Sequence, residues 1–230
     1  MKKIKGLIKY FSKAEIILWC FSVFAIVSSF IAFDRANHLT LCASLIGVTS
    51  LIFCAKGNPF GQILMIIFST IYGIISFSFS YYGEMLTYMG MTLPMSVFSL
   101  VTWLKNPYKN NKSEVEVYKL KKKDIYLMIA STIVVTITFY FILKHFNTAN
   151  LLPSTVSVTT SFIAAFLTYK RSPFFALGYA INDVVLIVLW VLAAKEDVSY
   201  ISVVMCFVVF LFNDLYGFFN WLRMQKRQQN

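Results

Sequence analysis

Lys56-Gly57-Asn58-Pro59-Phe60 returns later in the chain as Lys170-Arg171-Ser172-Pro173-Phe174, and each version opens a long apolar run. Proline lacks an N–H and fixes its own φ, so it suits a helix start and disrupts a helix interior. Each pentapeptide therefore reads as a break between two helices. A second landmark follows each one. Thr102-Trp103-Leu104-Lys105 closes a run 44 residues after the first break, and Asn220-Trp221-Leu222-Arg223 closes one 48 residues after the second. Two ordered landmarks at comparable spacing mark an internal repeat read in one direction.

The stretches around these landmarks are apolar almost throughout. Of 230 residues, 58% are hydrophobic, 17% aromatic and 13% charged, with mean hydropathy +0.69. Soluble domains carry about 25% charged residues. This composition excludes a soluble enzyme, a secreted disulfide scaffold and a disordered chain, and it predicts a polytopic membrane protein. A helix needs about 20 apolar residues to cross the hydrocarbon core. On that ruler the chain contains eight spans: 16–33, 39–55, 60–82, 85–104, 125–143, 150–169, 174–194 and 198–222. Asp34-Arg35, Tyr82-Gly83-Glu84 and Asn106-Pro107 supply further breaks. The first span follows Lys2, Lys3, Lys5, Lys9 and Lys13 but lacks a small-residue cleavage site, so it reads as a retained anchor. Cys20, Cys42, Cys54 and Cys206 lie inside apolar runs without metal-ligand spacing and read as packing residues.

Eight spans place both ends of the chain on one side, and the basic residues test that topology. Eighteen of the 21 Lys and Arg fall on the side of the termini, while Arg35, Lys144 and Lys195 fall on the other. The positive-inside rule makes the first side cytoplasmic. The net charge of +11 is then a topology signal rather than a nucleic-acid footprint, and the Lys119–Lys123 run also faces anionic lipid.

Spans 2–4 and 6–8 form two three-helix units. Three is odd, so span 5 restores the orientation of the second unit, and the repeat is parallel. Parallel repeats about an axis along the membrane normal are a transporter architecture with substrate held between the halves. The expected division is 1–38 (basic N-terminus and extra first span), 39–104 (first unit), 105–149 (basic loop and span 5), 150–224 (second unit) and 225–230 (tail).

Polar groups inside the spans nominate the site. Asn182 and Asp183 lie about halfway along span 7, and Asn213 and Asp214 a turn past the middle of span 8. A carboxylate at the bilayer centre costs about 3 kcal/mol or more, and no Lys or Arg lies inside a span to pair with either acid. The acids are therefore protonated, hydrogen-bonded to amides and hydroxyls, or open to a wet cavity that admits a cation. Helical spacing puts Tyr179, Asp183, Leu186 and Trp190 on one face of span 7. Asn213, Tyr216, Gly217 and Asn220 share a face of span 8, with Asp214 beside it, and Gln62 adds an amide to span 3. Such a pocket suits a flat heterocycle bearing a sugar, with rings stacking on aromatics and amides binding hydroxyls. Trp19, Trp103 and Trp221 read as interface anchors, and Trp190 as either belt or pocket. His38 and His145 read as solvated loop residues. No enzyme constellation, nucleotide-binding loop or cofactor motif appears in this reading.

The chain resembles the PnuC family of bacterial vitamin-precursor transporters, best known for nicotinamide riboside, over roughly residues 39–224. The resemblance rests on the 3+1+3 plan, on Lys170-Arg171-Ser172-Pro173 leading into Ala180-Ile181-Asn182, and on Phe210–Trp221. It implies a fold similar to the SWEET transporters, a homotrimer in the bacterial inner membrane, and facilitated diffusion. It also implies trapping of the substrate by a cytoplasmic kinase. Asn182 matches the family's Asn on the penultimate helix, and Asn213, Gly217 and Trp221 resemble positions on its last helix. The family's Trp-x-x-Trp-x-x-x-Asn is replaced here by Phe175, Gly178 and Asn182, with Tyr179 adjacent. That change leaves thiamine, nucleosides and deoxynucleosides open as alternatives to nicotinamide riboside. Proton coupling through Asp183 or Asp214, and a membrane scaffold without transport, are the competing mechanisms.

Overall fold

In lipid every backbone polar group must be satisfied within the protein, so an apolar run coils into a helix. A computed structural model describes residues 10–78, 82–148 and 150–230, leaving Lys2, Lys3, Lys5 and Lys9 outside the described residues. Within it eight helices are long and apolar enough to cross a membrane: α1 (Lys13–Phe33), α2 (His38–Ala55), α3 (Phe60–Ser78), α4 (Tyr82–Lys105), α5 (Lys122–His145), α6 (Leu151–Tyr169), α7 (Phe174–Ala194) and α8 (Val198–Gln229). Phe24, Val134 and Phe141 are among many apolar side chains left exposed on the outer surface, as hydrocarbon contact requires.

Two helices depart from the sequence expectation. The last helix continues to Gln229, so most of the expected 225–230 tail is helical. Within α4, Tyr88–Thr92 forms a π turn just ahead of Pro94. Proline cannot donate to the carbonyl one turn back and crowds it, and a widened turn accommodates both defects.

The repeat breaks adopt matching geometry. Gly57 (φ 65°) and Arg171 (φ 55°) are both left-handed. The Gly57 and Arg171 N–H groups donate to Cys54 O and Thr168 O, each at 2.9 Å; Asn58 and Ser172 donate to Phe53 O and Leu167 O, each at 3.0 Å. This is the Schellman-type ending, with the left-handed residue satisfying otherwise orphaned carbonyls. Lys56 reaches Glu15 in the first turn of α1 (3.2 Å), and Lys170 reaches Asp124 in the first turn of α5 (2.7 Å). The first span, an addition by sequence, is thus tied to α2 as α5 is tied to α6.

Trp103 and Trp221 are not interface anchors. Both are wholly buried, because each indole serves the other half of the molecule. Trp103 Nε1 donates to Thr168 O (2.9 Å) at the end of α6, and Trp221 Nε1 donates to Cys54 O (2.8 Å) at the end of α2. Trp19 remains partly exposed and donates to Thr49 Oγ1. The histidines are exposed, Cys20 and Cys42 are exposed, and Cys54 and Cys206 are buried; all four thiols are free.

The basic segment after α4 is ordered rather than a bare solvated loop. β1 (Pro107–Tyr108) pairs antiparallel with β2 (Asn111–Val115) around Lys109 and Asn110, whose positive φ values of 47° and 61° fit a two-residue hairpin turn. At the end of β2, Val115 N–H donates to Gly57 O (2.9 Å), and beyond the hairpin Tyr118 N–H donates to Arg171 O (3.0 Å). One strap of chain thereby joins the two equivalent turns across the basic end of the bundle.

Candidate substrate cavity

The five α7 residues singled out by sequence divide by height. Phe175 sits lowest, buried in a cluster with Trp103 and Trp221, with ring centroids 6.3 and 4.9 Å away. This cluster closes the basic end beneath the strap, whose Val115 packs into it. Above it Tyr179, Asn182, Asp183 and Trp190 line a cavity of about 110 Å³. Eleven residues separate Tyr179 from Trp190, so the cavity follows α7 for about 16 Å. Asp214 reaches the same cavity from α8.

Each polar group there has a defined setting. Asn182 Oδ1 accepts from Ser157 Oγ (3.2 Å) and Thr160 Oγ1 (2.8 Å) of α6, which fixes the amide and presents its nitrogen as the available donor. Asp183 and Asp214 meet at hydrogen-bonding reach. Asp183 Oδ2 is buried without a partner. Among the described residues, no Lys, Arg or His lines the cavity. Counting from the paired landmarks, 114 residues from Lys56 to Lys170 and 118 from Trp103 to Trp221, Asp183 corresponds to Ser69 and Asp214 to Ser96. Both serines are buried. The acid pair therefore belongs to the second unit alone, and the opposing wall, with Phe68 and Tyr88, is aromatic.

The remaining nominated residues lie elsewhere. Asn213 faces α1, donating to Ser22 Oγ (2.9 Å) and Val209 O (2.8 Å). Tyr216 donates to Glu15 Oε1 (3.2 Å), also on α1. Asn220 donates to Ala55 O (2.8 Å). Gln62 is buried beside α2 and donates to Cys54 Sγ (3.4 Å). Gly217 leaves ordinary space, the nearest atom to an added Cβ being 3.6 Å away, whereas at Gly178 an added Cβ meets the Ala164 backbone at 3.1 Å. Close α6–α7 packing thus leaves no room for a large ring at the second Trp position of the motif.

Two features escaped the sequence reading. Tyr88 and Thr92 of the π turn, with Thr87 just before it, line the cavity wall. Glu84, at the start of α4, lines this cavity and also a second one of about 110 Å³ at the end opposite the repeat turns. That second cavity includes Asp34, Tyr72, Trp190, Asp197 and Tyr200. A backbone hydrogen bond from Ser199 holds the Asp197 carboxyl below its usual range. The signal for Glu84 was its position as the one acid near the start of span 4; its neighbour Gly83 made it read as a break.

Comparison with known proteins agrees with this architecture. The chain is 25% identical over 215 residues to the nicotinamide riboside transporter PnuC of Neisseria mucosa, covering 91% of this chain and 81% of that protein. It is 23% identical over 196 residues to the protein of the same name from Haemophilus influenzae, covering 83% and 82%. The crystal structure of the vitamin B3 transporter PnuC superposes with a TM-score of 0.80 at 22% identity, over 95% of this chain and 94% of that one, and shows the same fold. These relatives are multi-pass membrane transporters rather than enzymes. The family model described as nicotinamide mononucleotide transporter matches residues 37–223, and the chain belongs to that family.

Proposed function

We propose that the chain takes up nicotinamide riboside, or a closely related ribosylated vitamin precursor, across the bacterial inner membrane. The carrying observation is a cavity within the spans where amide, phenol and carboxyl groups converge and, among the described residues, no cationic side chain lines it to neutralise them. A riboside with a pyridinium ring fits that chemistry. Its hydroxyls meet the Asn182 amide, its ring stacks on Tyr179, and its positive charge faces Asp183 and Asp214. The names of the Neisseria and Haemophilus relatives support the same substrate.

The basic end, with Lys56, Lys105 and Arg223, faces the cytoplasm in this reading, as do both termini. Transport is facilitated diffusion. Substrate reaches the cavity from the opposite end and leaves when the Trp103, Phe175 and Trp221 cluster parts. Phosphorylation by a cytoplasmic kinase makes uptake one-way, and the working assembly is a homotrimer. The facing carboxyls of Asp183 and Asp214 favour one second reading, proton-coupled uptake through a proton shared between them.

Uptake into liposomes holding the purified protein separates these readings. Labelled nicotinamide riboside should equilibrate in a saturable way, compete poorly with thiamine and deoxynucleosides, and ignore an imposed pH gradient. Accumulation driven by that gradient would assign the acids to proton coupling. Competition by a deoxynucleoside or thiamine instead would reassign the substrate.

A further inference from the structure

We infer that the cavity at the end opposite the repeat turns is a second, outer binding site for a flat cationic heterocycle, and that Glu84 at its junction with the central cavity selects for the positive charge. The inference rests on the transport reading above and on its orientation. Glu84 and Trp190 line both cavities, so a ligand passing from one to the other meets them. Among the described residues, no Lys, Arg or His lines either space.

The acids at the outer end differ in what they already do. Asp34 Oδ1 accepts from Asn37 N (3.3 Å) and Asn37 Nδ2 (2.7 Å), and Asp197 Oδ1 accepts from Ser199 N (2.9 Å). Both shape local turns. Glu84 makes no hydrogen bond or ion pair among the described residues; its place in the first turn of α4 suits the helix dipole but gives the carboxylate no side-chain partner there. An acid left without a structural partner on the wall of two cavities is placed for something that visits them.

Two aromatic pairs flank the passage. Tyr72 and Tyr88 have ring centroids 5.1 Å apart on the first unit, and Trp190 and Tyr200 stand 5.3 Å apart on the second. A cation within about 6 Å of such faces is attracted by their quadrupoles. Tyr72, 5% exposed, gives its ring to the wall of the outer cavity, while its hydroxyl lies toward Ser44. Trp190, which the two spaces share, lies seven residues beyond Asp183, so their junction stands about 10 Å along α7 from the acid pair. The two spaces then act in succession, the outer one recruiting the charge and the central one reading charge and sugar together.

The test compares nicotinamide riboside with its reduced dihydro form, which has nearly the same shape and no charge. Initial uptake rates at low concentration are measured in liposomes for wild type, Glu84→Gln and Glu84→Asp. Glu84→Gln should slow the cation about tenfold more than the reduced riboside, the scale of one carboxylate acting through a partly wet cavity. Glu84→Asp should keep most of the preference. Equal slowing of both ribosides by Glu84→Gln, or of neither, overturns the outer site while wild-type transport stands. Wild-type liposomes that take up neither riboside overturn the transport reading, and the outer site falls with it.

Discussion

Asn182 and Asn213 look alike in sequence, each followed by Asp in the interior of a span, and the structure predicts opposite consequences for replacing them. In Asn213→Ala the Ser22 hydroxyl loses its partner, while Val209 O keeps its place in the helix. The unsatisfied Asn213 Oδ1 disappears as well. A lost bond of about 1 kcal/mol and a small gap costing about 2 kcal/mol are offset by about 1 kcal/mol from removing the orphaned acceptor. The net loss is about 2 kcal/mol, a fall of roughly 5 °C in Tm. Riboside affinity should not change, because the side chain faces α1. In Asn182→Ala, Thr160 Oγ1 retains Val156 O at 3.0 Å, so stability suffers less. What is lost is the amide presented to a ribose hydroxyl, about 2 kcal/mol or roughly thirtyfold in Kd. Calorimetric titration of nicotinamide riboside, paired with thermal unfolding in detergent, reads both quantities on the same samples. Equal weakening of binding by the two variants would refute the assignment of the cavity to the Asn182 side of the α7–α8 pair. Unchanged binding in Asn182→Ala would refute its role outright.

Two other predictions rest on packing. Trp103→Phe and Trp221→Phe each remove an indole N–H bond and leave a gap in a fully buried cluster, so each should cost about 2–3 kcal/mol. Thermal unfolding should show similar losses, and a loss confined to one would break the equivalence of the two halves. Gly178→Ala brings a Cβ to 3.1 Å from the Ala164 backbone and should cost about 1–3 kcal/mol. Gly217→Ala meets nothing closer than 3.6 Å and should stabilise its helix by about 0.5–1 kcal/mol; the same melting assay ranks the pair.

Much of the fold was legible because membrane helices are written in long apolar runs whose ends are marked by Lys, Gly and Pro. Within the site, Asp183, Asn182 and Asp214 stood out because charged and amide groups are rare at that depth. Periodicity groups residues on a face but says nothing of which helix stands opposite. The face of α8 with Asn213 and Tyr216 is claimed by α1, through contacts spanning 191 and 201 residues of sequence. Phe175 shares the α7 sequence neighbourhood of Tyr179, yet one turn lower it belongs to a closed aromatic cluster. The π turn had one local cue, Pro94, and a proline in a membrane helix has several structural outcomes.

The crossed tryptophans also set an order for making the protein. Trp103 emerges from the ribosome 65 residues before the Thr168 carbonyl it will meet, and Trp221 arrives 167 residues after Cys54. At about 5–20 residues per second, the first indole waits several seconds in a half-built bundle with its donor unmatched. The second cannot dock until α8 has been made. Neither half is a finished unit on its own, so insertion of the eight helices is completed by the last of them, and a chain cut short after α7 leaves the end of α2 without the indole that should close it.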